Sequence, residues 1–191
     1  MLVALALLNA SYGLVLNCCR TNPERAIRAL GEMIDCIGVN GMVGGQTVDL
    51  ALSRTPRSAE RCQNLEAARN LKTSALFRYA LQIGAILCGA TRSQLNALSS
   101  FAELLGTAYQ KIDDWIDADE DSLGGMASVG GQTVDALDEG QLKRQIAVLI
   151  SDAKAMITAE FSYTRSTRIL LEFADYIAGR AAHPHFTYIA S

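Results

Sequence analysis

Acidic side chains are concentrated in one short run of this 191-residue sequence, between residues 113 and 121. In a helix, Asp113 and Asp117 are one turn apart on the same face, with Asp114 beside them. Carboxylates at this spacing repel each other unless a cation lies between them. Mg²⁺ takes one or two carboxylates together with phosphate oxygens and water. The run therefore predicts a Mg²⁺ site completed by a phosphorylated ligand, and a solvated acidic helix end is the alternative.

Two further segments contain residue types that suit an anionic ligand. Lys72 and Thr73 lie within an apolar stretch, where a lysine can reach a ligand as a mobile charge or simply extend to the surface. Residues 44–49 combine adjacent glycines with an amide and a carboxylate, which suits either a ligand site or a close crossing of two helices. The segment 43–49 recurs at 129–135, although the neighbouring residues do not match.

The elements that position these residues are predicted to be helices. No stretch alternates between apolar and polar residues as a strand would, whereas helix signals recur along the sequence. Asn22 and Pro23 are typical of a helix start, and apolar residues recur at helical spacing to Ile37. Glycines between 38 and 45 are expected to interrupt that helix. Further helices are predicted from Ser58 to about Cys88, after a capping box at 91–94, and over 134–161 and 164–180, with a loop over 122–131.

The helix that follows residue 91 is predicted to carry apolar residues toward the core. Its core-facing residues are predicted to be Leu98, Phe101, Leu105, Ala108, Ile112 and Ile116. The first eight residues are also apolar, but no basic residue precedes Arg20 and polar residues interrupt the stretch. We therefore predict a buried helix there, rather than a targeting segment or an integral membrane span.

Composition narrows the function classes. The sequence has 17 basic and 20 acidic residues and a net charge of -3, which argues against broad nucleic-acid binding. Half of the residues are hydrophobic, which excludes intrinsic disorder and is consistent with one domain over 1–191. The five cysteines form no CxxC pair, so a zinc site is not expected. Reduced thiols in the cytoplasm are predicted, and most of them are expected to fill the core.

The three segments occur in an order that resembles the trans-prenyltransferases, or polyprenyl diphosphate synthases. That family carries Gly-Gly-Gln-x-x-Asp, then Lys-Thr, then Phe/Tyr-Gln-x-x-Asp-Asp-x-x-Asp. Here they match residues 44–49, 72–73 and 109–117, the last being similar to the family's second aspartate-rich motif. Residues 173–177, followed by Arg180, also resemble its C-terminal helix. The resemblance implies an all-α, isoprenoid-synthase-type helical bundle.

The resemblance also implies a role for each matching residue. Mg²⁺ would be bound by three aspartates, which are Asp113, Asp114 and Asp117. Lys72 would contact the substrate diphosphate, and Gln46 and Thr73 would line the site near the reacting prenyl chain, so these three are the predicted catalytic residues. Gln110 would hold the aspartate cluster or the substrate. The implied reaction is a Mg²⁺-dependent condensation of an allylic diphosphate with isopentenyl diphosphate, in a protein that forms homo-oligomers or heteromers.

Several features depart from the family pattern. The family's first aspartate-rich motif has no counterpart, since no aspartate precedes Asp35. The family's basic pocket for isopentenyl diphosphate, which is also N-terminal, is missing as well. The region 124–140, where the family usually has a further lysine, contains neither lysine nor arginine. We therefore expect an N-terminally truncated bundle whose activity is impaired or incomplete. A non-catalytic subunit that pairs with a full-length synthase, and a helical remnant without chemistry, are the alternatives.

Overall fold

The computed structural model describes residues 2–53, 59–123 and 139–181, and no strand occurs among them. The described helices are α1 (Leu2–Asn17), α2 (Pro23–Ile37), α3 (Met42–Ser53), α4 (Ala59–Cys88), α5 (Arg92–Leu123), α6 (Glu139–Glu160) and α7 (Arg165–Arg180). The predicted all-α fold class is confirmed. The predicted loop over 122–131 lies largely outside the described residues, and so does the second Gly-Gly-Gln segment. The division of residues 1–191 into domains stays a prediction.

Side-chain caps fix where the central helices begin. The Asn22 side chain accepts a hydrogen bond from the backbone N–H of Arg25 at the start of α2. At the start of α5, the Thr91 N–H donates to Gln94 Oε1 at 3.0 Å, and the Gln94 N–H donates to Thr91 Oγ1 at 3.2 Å. This reciprocal pair is the predicted capping box. Both predicted helix starts are therefore confirmed.

The main core surrounds α5. Its buried face consists of Leu98, Phe101, Leu105, Ala108 and Ile112. These side chains pack with buried residues of α6 and α7, among them Ile146, Ile150, Ile157, Ala174 and Ile177. The predicted core face is therefore confirmed up to residue 112, and Ile116 is only half-buried. The helix that carries the acidic run is thus anchored by apolar contacts on both sides.

Helices α3 and α4 approach each other through Gly45. A Cβ atom at this position would lie 2.6 Å from the carbonyl oxygen of Ala68 and 2.9 Å from the backbone nitrogen of Lys72. Only a glycine allows so close an approach. Gly44 and Gly45 lie within α3, so the expectation that they interrupt a helix is wrong, and the chain turns at 38–41 instead. The crossing places Asp49 of α3 beside α4.

The N-terminal helix differs from its prediction in burial. Residues 2–17 are helical, but Val15 is the only side chain of α1 that is buried. Leu7 and Leu14 expose 67% and 68% of their surface, so the predicted burial is wrong. The helical segment Leu2–Arg20 is long and apolar enough to cross a membrane, a property that core helices and signal sequences share. The apolar composition of this helix predicted burial, but burial also requires a neighbouring surface that covers the helix.

The described cysteines are not cross-linked. Cys18, Cys19, Cys36 and Cys88 all carry free thiols. Cys36 is buried, but Cys88 is exposed, so the prediction that the cysteines mostly fill the core is wrong for this residue.

We expect Gly45→Val to destabilise the protein by about 1–3 kcal/mol, because the added atoms overlap the backbone of α4. Chemical denaturation followed by circular dichroism measures the change. Gly84→Val is the matched control in α4, since a Cβ atom there would meet no side chain and no other helix, and it should be close to neutral. A Gly45→Val variant as stable as the wild type would contradict the close approach of α3 and α4.

Candidate active site

A cavity of about 690 Å³ opens where α3, α4, α5 and α7 meet. One side of it is polar and carries Asp49, Arg69, Lys72, Thr73, Gln110, Asp113 and Asp114. The other side is mainly apolar and carries Leu76, Phe77, Ala80, Leu81, Tyr109 and Phe173. Its size lies within the range of small-molecule sites in proteins. The cavity thus suits a ligand with a charged or polar end and an apolar end.

Helix α4 supplies one wall through a single face. Its lining residues are adjacent or three positions apart, which aligns them along one face of the helix. They include, in order, Arg69, Lys72, Thr73, Leu76 and Phe77. The two cations come first, and the apolar residues follow toward the C-terminal end. The polar and apolar sides of the cavity therefore follow the direction of this helix.

Helix α5 supplies the opposite wall, and a short hydrogen-bond chain joins the two. Thr73 Oγ1 donates to Gln110 Oε1 at 3.0 Å, and Gln110 Nε2 donates to Asp114 Oδ1 at 2.9 Å. The amide of Gln110 is therefore held at both ends. This chain fixes the position of the Asp114 carboxylate relative to α4.

Arg69 connects two carboxylates from different helices. Its Nε lies 3.3 Å from Asp49 Oδ1, and its Nη1 lies 2.9 Å from Asp114 Oδ1. Lys72 Nζ lies 3.6 Å from Asp49 Oδ2. All four side chains are partly buried, with exposed fractions between 16% and 30%. The two cations of α4 thus balance charge that α3 and α5 bring to the cavity.

Arg180 of α7 balances the remaining carboxylate. Its Nη2 lies 3.6 Å from Asp113 Oδ1, and its guanidinium carbon lies 4.5 Å from the centre of the Tyr109 ring. Burial disfavours the charged form of Arg180, but its interactions with Tyr109 and the charge of Asp113 outweigh burial and raise the pKa. Arg180 therefore stays positively charged at any physiological pH.

The structure brings most of the predicted site residues to one cavity. Those that line it are Lys72, Thr73, Gln110, Asp113 and Asp114. Gln46 is half-buried on α3 and is not among the lining residues. The backbone at position 117 belongs to α5, but the side chain of Asp117 lies outside what the structure describes. The roles assigned to these residues stay predictions.

Sequence reasoning missed Arg69 and underused Asp49. Arg69 precedes Lys72 by three residues, so helical spacing alone would have placed both on one face. Asp49 ends the Gly-Gly-Gln segment and lines the cavity. Arg180 was noted only for its family resemblance, and its contact with Asp113 depends on how α7 packs.

The carboxylates of the cavity fit Mg²⁺ only if a ligand supplies further oxygen atoms. Among the described residues, no group of three His, Cys, Asp or Glu side chains is arranged to hold a metal ion. Three carboxylates nevertheless line the cavity, and two of them, Asp113 and Asp114, are adjacent on α5. Mg²⁺ commonly takes one or two carboxylates and completes its shell with phosphate oxygens and water. The donors therefore fit a Mg²⁺ ion that is shared with a phosphorylated ligand.

The chain belongs to the polyprenyl synthetase family, since residues 1–127 match that family. Geranylgeranyl pyrophosphate synthase 11 of Arabidopsis thaliana is 31% identical over 164 residues, which are 83% of this chain and 46% of that protein. The geranylgeranyl diphosphate synthase of Pantoea ananas is 34% identical over 121 residues, which are 63% of this chain and 39% of that protein. The predicted family is thus confirmed.

A structural comparison agrees. An apo FPP/GFPP synthase from Zymomonas mobilis has a TM-score of 0.66 and 28% sequence identity, over 82% of this chain and 52% of that one.

A heterodimeric geranylgeranyl pyrophosphate synthase large subunit of Arabidopsis thaliana is 33% identical over 101 residues, which are 53% of this chain and 27% of that protein. The matched region spans about a quarter to a half of the length of these curated relatives.

We expect Gln110→Glu to destabilise the protein by about 1–2 kcal/mol at pH 8, because a glutamate cannot donate to Asp114 and adds a like charge. Protonation of the new carboxylate relieves the repulsion, so the loss should shrink as the pH falls toward 5. Denaturation at both pH values measures this. Gln141→Glu, on the exposed start of α6, adds the same charge elsewhere as a control. An equal loss in both variants would contradict the hydrogen-bond chain.

Proposed function

We propose that this chain binds an allylic prenyl diphosphate in the cavity and takes part in its Mg²⁺-dependent condensation with isopentenyl diphosphate. The observation that carries the proposal is the division of the cavity into a charged end and an apolar end. A prenyl diphosphate has the same two parts. Membership of the polyprenyl synthetase family supports the reaction class.

At the charged end, the diphosphate is proposed to lie between α4 and α5. Lys72 is a flexible ammonium at the cavity wall and binds diphosphate oxygens. Asp113 and Asp114 would hold Mg²⁺, which when bound stabilises the negative charge of the departing pyrophosphate. Thr73 and Gln110 keep Asp114 in place through their hydrogen bonds. These residues thus stabilise the leaving group rather than attack the substrate.

At the apolar end, the prenyl chain is proposed to lie against aliphatic and aromatic side chains. Phe77 contacts both Tyr109 and Phe173, with ring centres 6.1 and 6.0 Å apart. These rings exclude water from the allylic carbon, which protects a carbocation from hydrolysis. Gln46, which is half-buried on α3, keeps its predicted role beside the prenyl chain.

A second ligand site is needed for the whole reaction. The condensation requires isopentenyl diphosphate as well, and its diphosphate needs its own basic groups. The basic residues at this cavity already face the acidic cluster. We therefore propose that the isolated chain condenses the two substrates slowly. Cytoplasmic location stays a prediction.

A non-catalytic subunit that pairs with a full-length synthase is the second candidate. The exposed leucines of α1 favour it, because an apolar helix face of this kind commonly marks a protein interface. One relative is described as the large subunit of a heterodimeric synthase. The candidates differ in an assay with both diphosphates: the first predicts slow turnover by the chain alone, and the second predicts none until a full-length synthase is added, with a changed product length.

We expect Asp113→Asn with Asp114→Asn to weaken Mg²⁺-dependent pyrophosphate binding by more than tenfold, because both proposed metal ligands lose their charge. Isothermal titration calorimetry with pyrophosphate, with and without Mg²⁺, measures the effect. Asp152→Asn, on an exposed position of α6, is the matched control and should bind as the wild type does. Unchanged binding in the double variant would remove the metal site from the proposal.

We expect the chain to associate in solution, because α1 exposes apolar residues along most of its length. Leu7→Glu with Leu14→Glu should shift it toward the monomer, since the charges would be buried in any interface that includes α1. Light scattering over a range of concentrations measures this. Val148→Glu places one charge on an exposed apolar position of α6 and should not change the mass. A monodisperse wild-type monomer would contradict the expectation.

A further inference from the structure

We propose that Arg69 is the internal counter-ion of the acidic cluster and that it lowers the affinity of this cluster for a divalent cation. Its guanidinium contacts Asp49 of α3 and Asp114 of α5 at once, at 3.3 and 2.9 Å. At Asp114 it therefore neutralises a charge that the proposed Mg²⁺ ion would also neutralise. This inference rests on the proposed function, because it concerns the same cluster.

The bonding of Asp114 shows why Arg69 competes with a metal ion. Its Oδ1 accepts hydrogen bonds from both Arg69 and Gln110, each at 2.9 Å. A carboxylate oxygen has two lone pairs, so these two donors use its in-plane capacity. A cation that coordinates Oδ1 must therefore displace Arg69 or Gln110, and a cation that coordinates Oδ2 of the same carboxylate lies close to the positive charge of Arg69. Gln110 is neutral and is also held by Thr73, which leaves Arg69 as the group that a competing positive charge repels.

Two other cations close to the acidic cluster are bound differently. Lys72 approaches only Asp49, at 3.6 Å, and Arg180 lies over the Tyr109 ring while it approaches Asp113 at 3.6 Å. Among these three described cations, Arg69 alone bridges two carboxylates. About a quarter of its side chain is exposed, at 27%, so it has solvent to move into when it leaves Asp114.

A direct contact with the diphosphate is the competing explanation for an arginine at this place, because guanidinium groups bind phosphate oxygens well. The two explanations predict opposite results. A counter-ion weakens metal binding, so its removal strengthens it even without diphosphate. A diphosphate ligand leaves the affinity for the metal alone unchanged, and its removal weakens pyrophosphate binding.

The test is a titration of the full chain with Mg²⁺ alone, by isothermal titration calorimetry, with Arg69→Gln against the wild type. We expect Arg69→Gln to bind Mg²⁺ on the order of tenfold more tightly, because a positive charge next to Asp114 is removed. Arg69→Lys keeps the charge but loses the fork that bridges two carboxylates, so its affinity should lie between the two.

Arg78→Gln is the matched control. Arg78 lies on the same helix, nine residues further along and half a turn around it, and it is also partly buried beside a carboxylate, with its Nε 2.8 Å from Glu32 Oε1. It lines a different cavity from Arg69. This variant should bind Mg²⁺ with the wild-type affinity. An equal gain in both variants would mean that any lost positive charge suffices, which overturns the proposal.

The outcomes separate this inference from the proposed function. If the wild type binds Mg²⁺ through Asp113 and Asp114 but Arg69→Gln binds no more tightly, the inference alone fails. If neither protein binds Mg²⁺, with or without pyrophosphate, the proposed function fails as well. If Arg69→Gln does not fold, Arg69→Lys decides, since an affinity equal to that of the wild type overturns the inference and a higher one supports it.

Discussion

Charge balance inside a partly buried cavity is the constraint on which the candidate site depends. Asp49, Asp113 and Asp114 come from two helices, and each lies within 3.6 Å of a cation from α4 or α7. Two unit charges 4 Å apart interact by about 4 kcal/mol near a protein surface, so unbalanced carboxylates would push the helices apart. The arrangement holds only if α3, α4, α5 and α7 meet at one place.

Apolar packing and one glycine bring these helices together. The buried face of α5 anchors the acidic end of that helix against α6 and α7. On the other side, Gly45 lets the backbone of α3 touch α4 next to Lys72, so the distance between Asp49 and Lys72 is set by backbone contact. The two contacts differ, because the apolar core of α5 tolerates exchanges between side chains of similar volume, whereas the position of Gly45 tolerates no side chain. The positions of the charged residues therefore depend on one contact that can be repacked and on one that cannot.

Local features were predictable from the sequence, and features that depend on neighbouring helices were not. The caps at Asn22 and Thr91 and the core face around Phe101 follow from spacing within one helix, and they were predicted correctly. The contact of Arg69 with Asp114 joins residues 45 positions apart, so no local pattern contains it. In α2, the apolar residues Ile27 and Ile34 expose 67% and 61% of their surface, whereas the smaller Ala26 and Ala29 are buried. Hydropathy indicates how strongly a residue avoids water, but the available partner surface decides which face is covered.

The weak attachment of α1 leaves the charged cluster independent of this helix. Its buried contribution is Val15, and Ser11 accepts a hydrogen bond from Tyr79 at 2.6 Å. A helix held by so few contacts opens at a small free-energy cost, whereas the helices that form the cavity are packed around the main core. The contacts among Asp49, Arg69 and Asp114 do not include α1. A change in the contacts of α1 therefore leaves the geometry of the charged cluster unchanged.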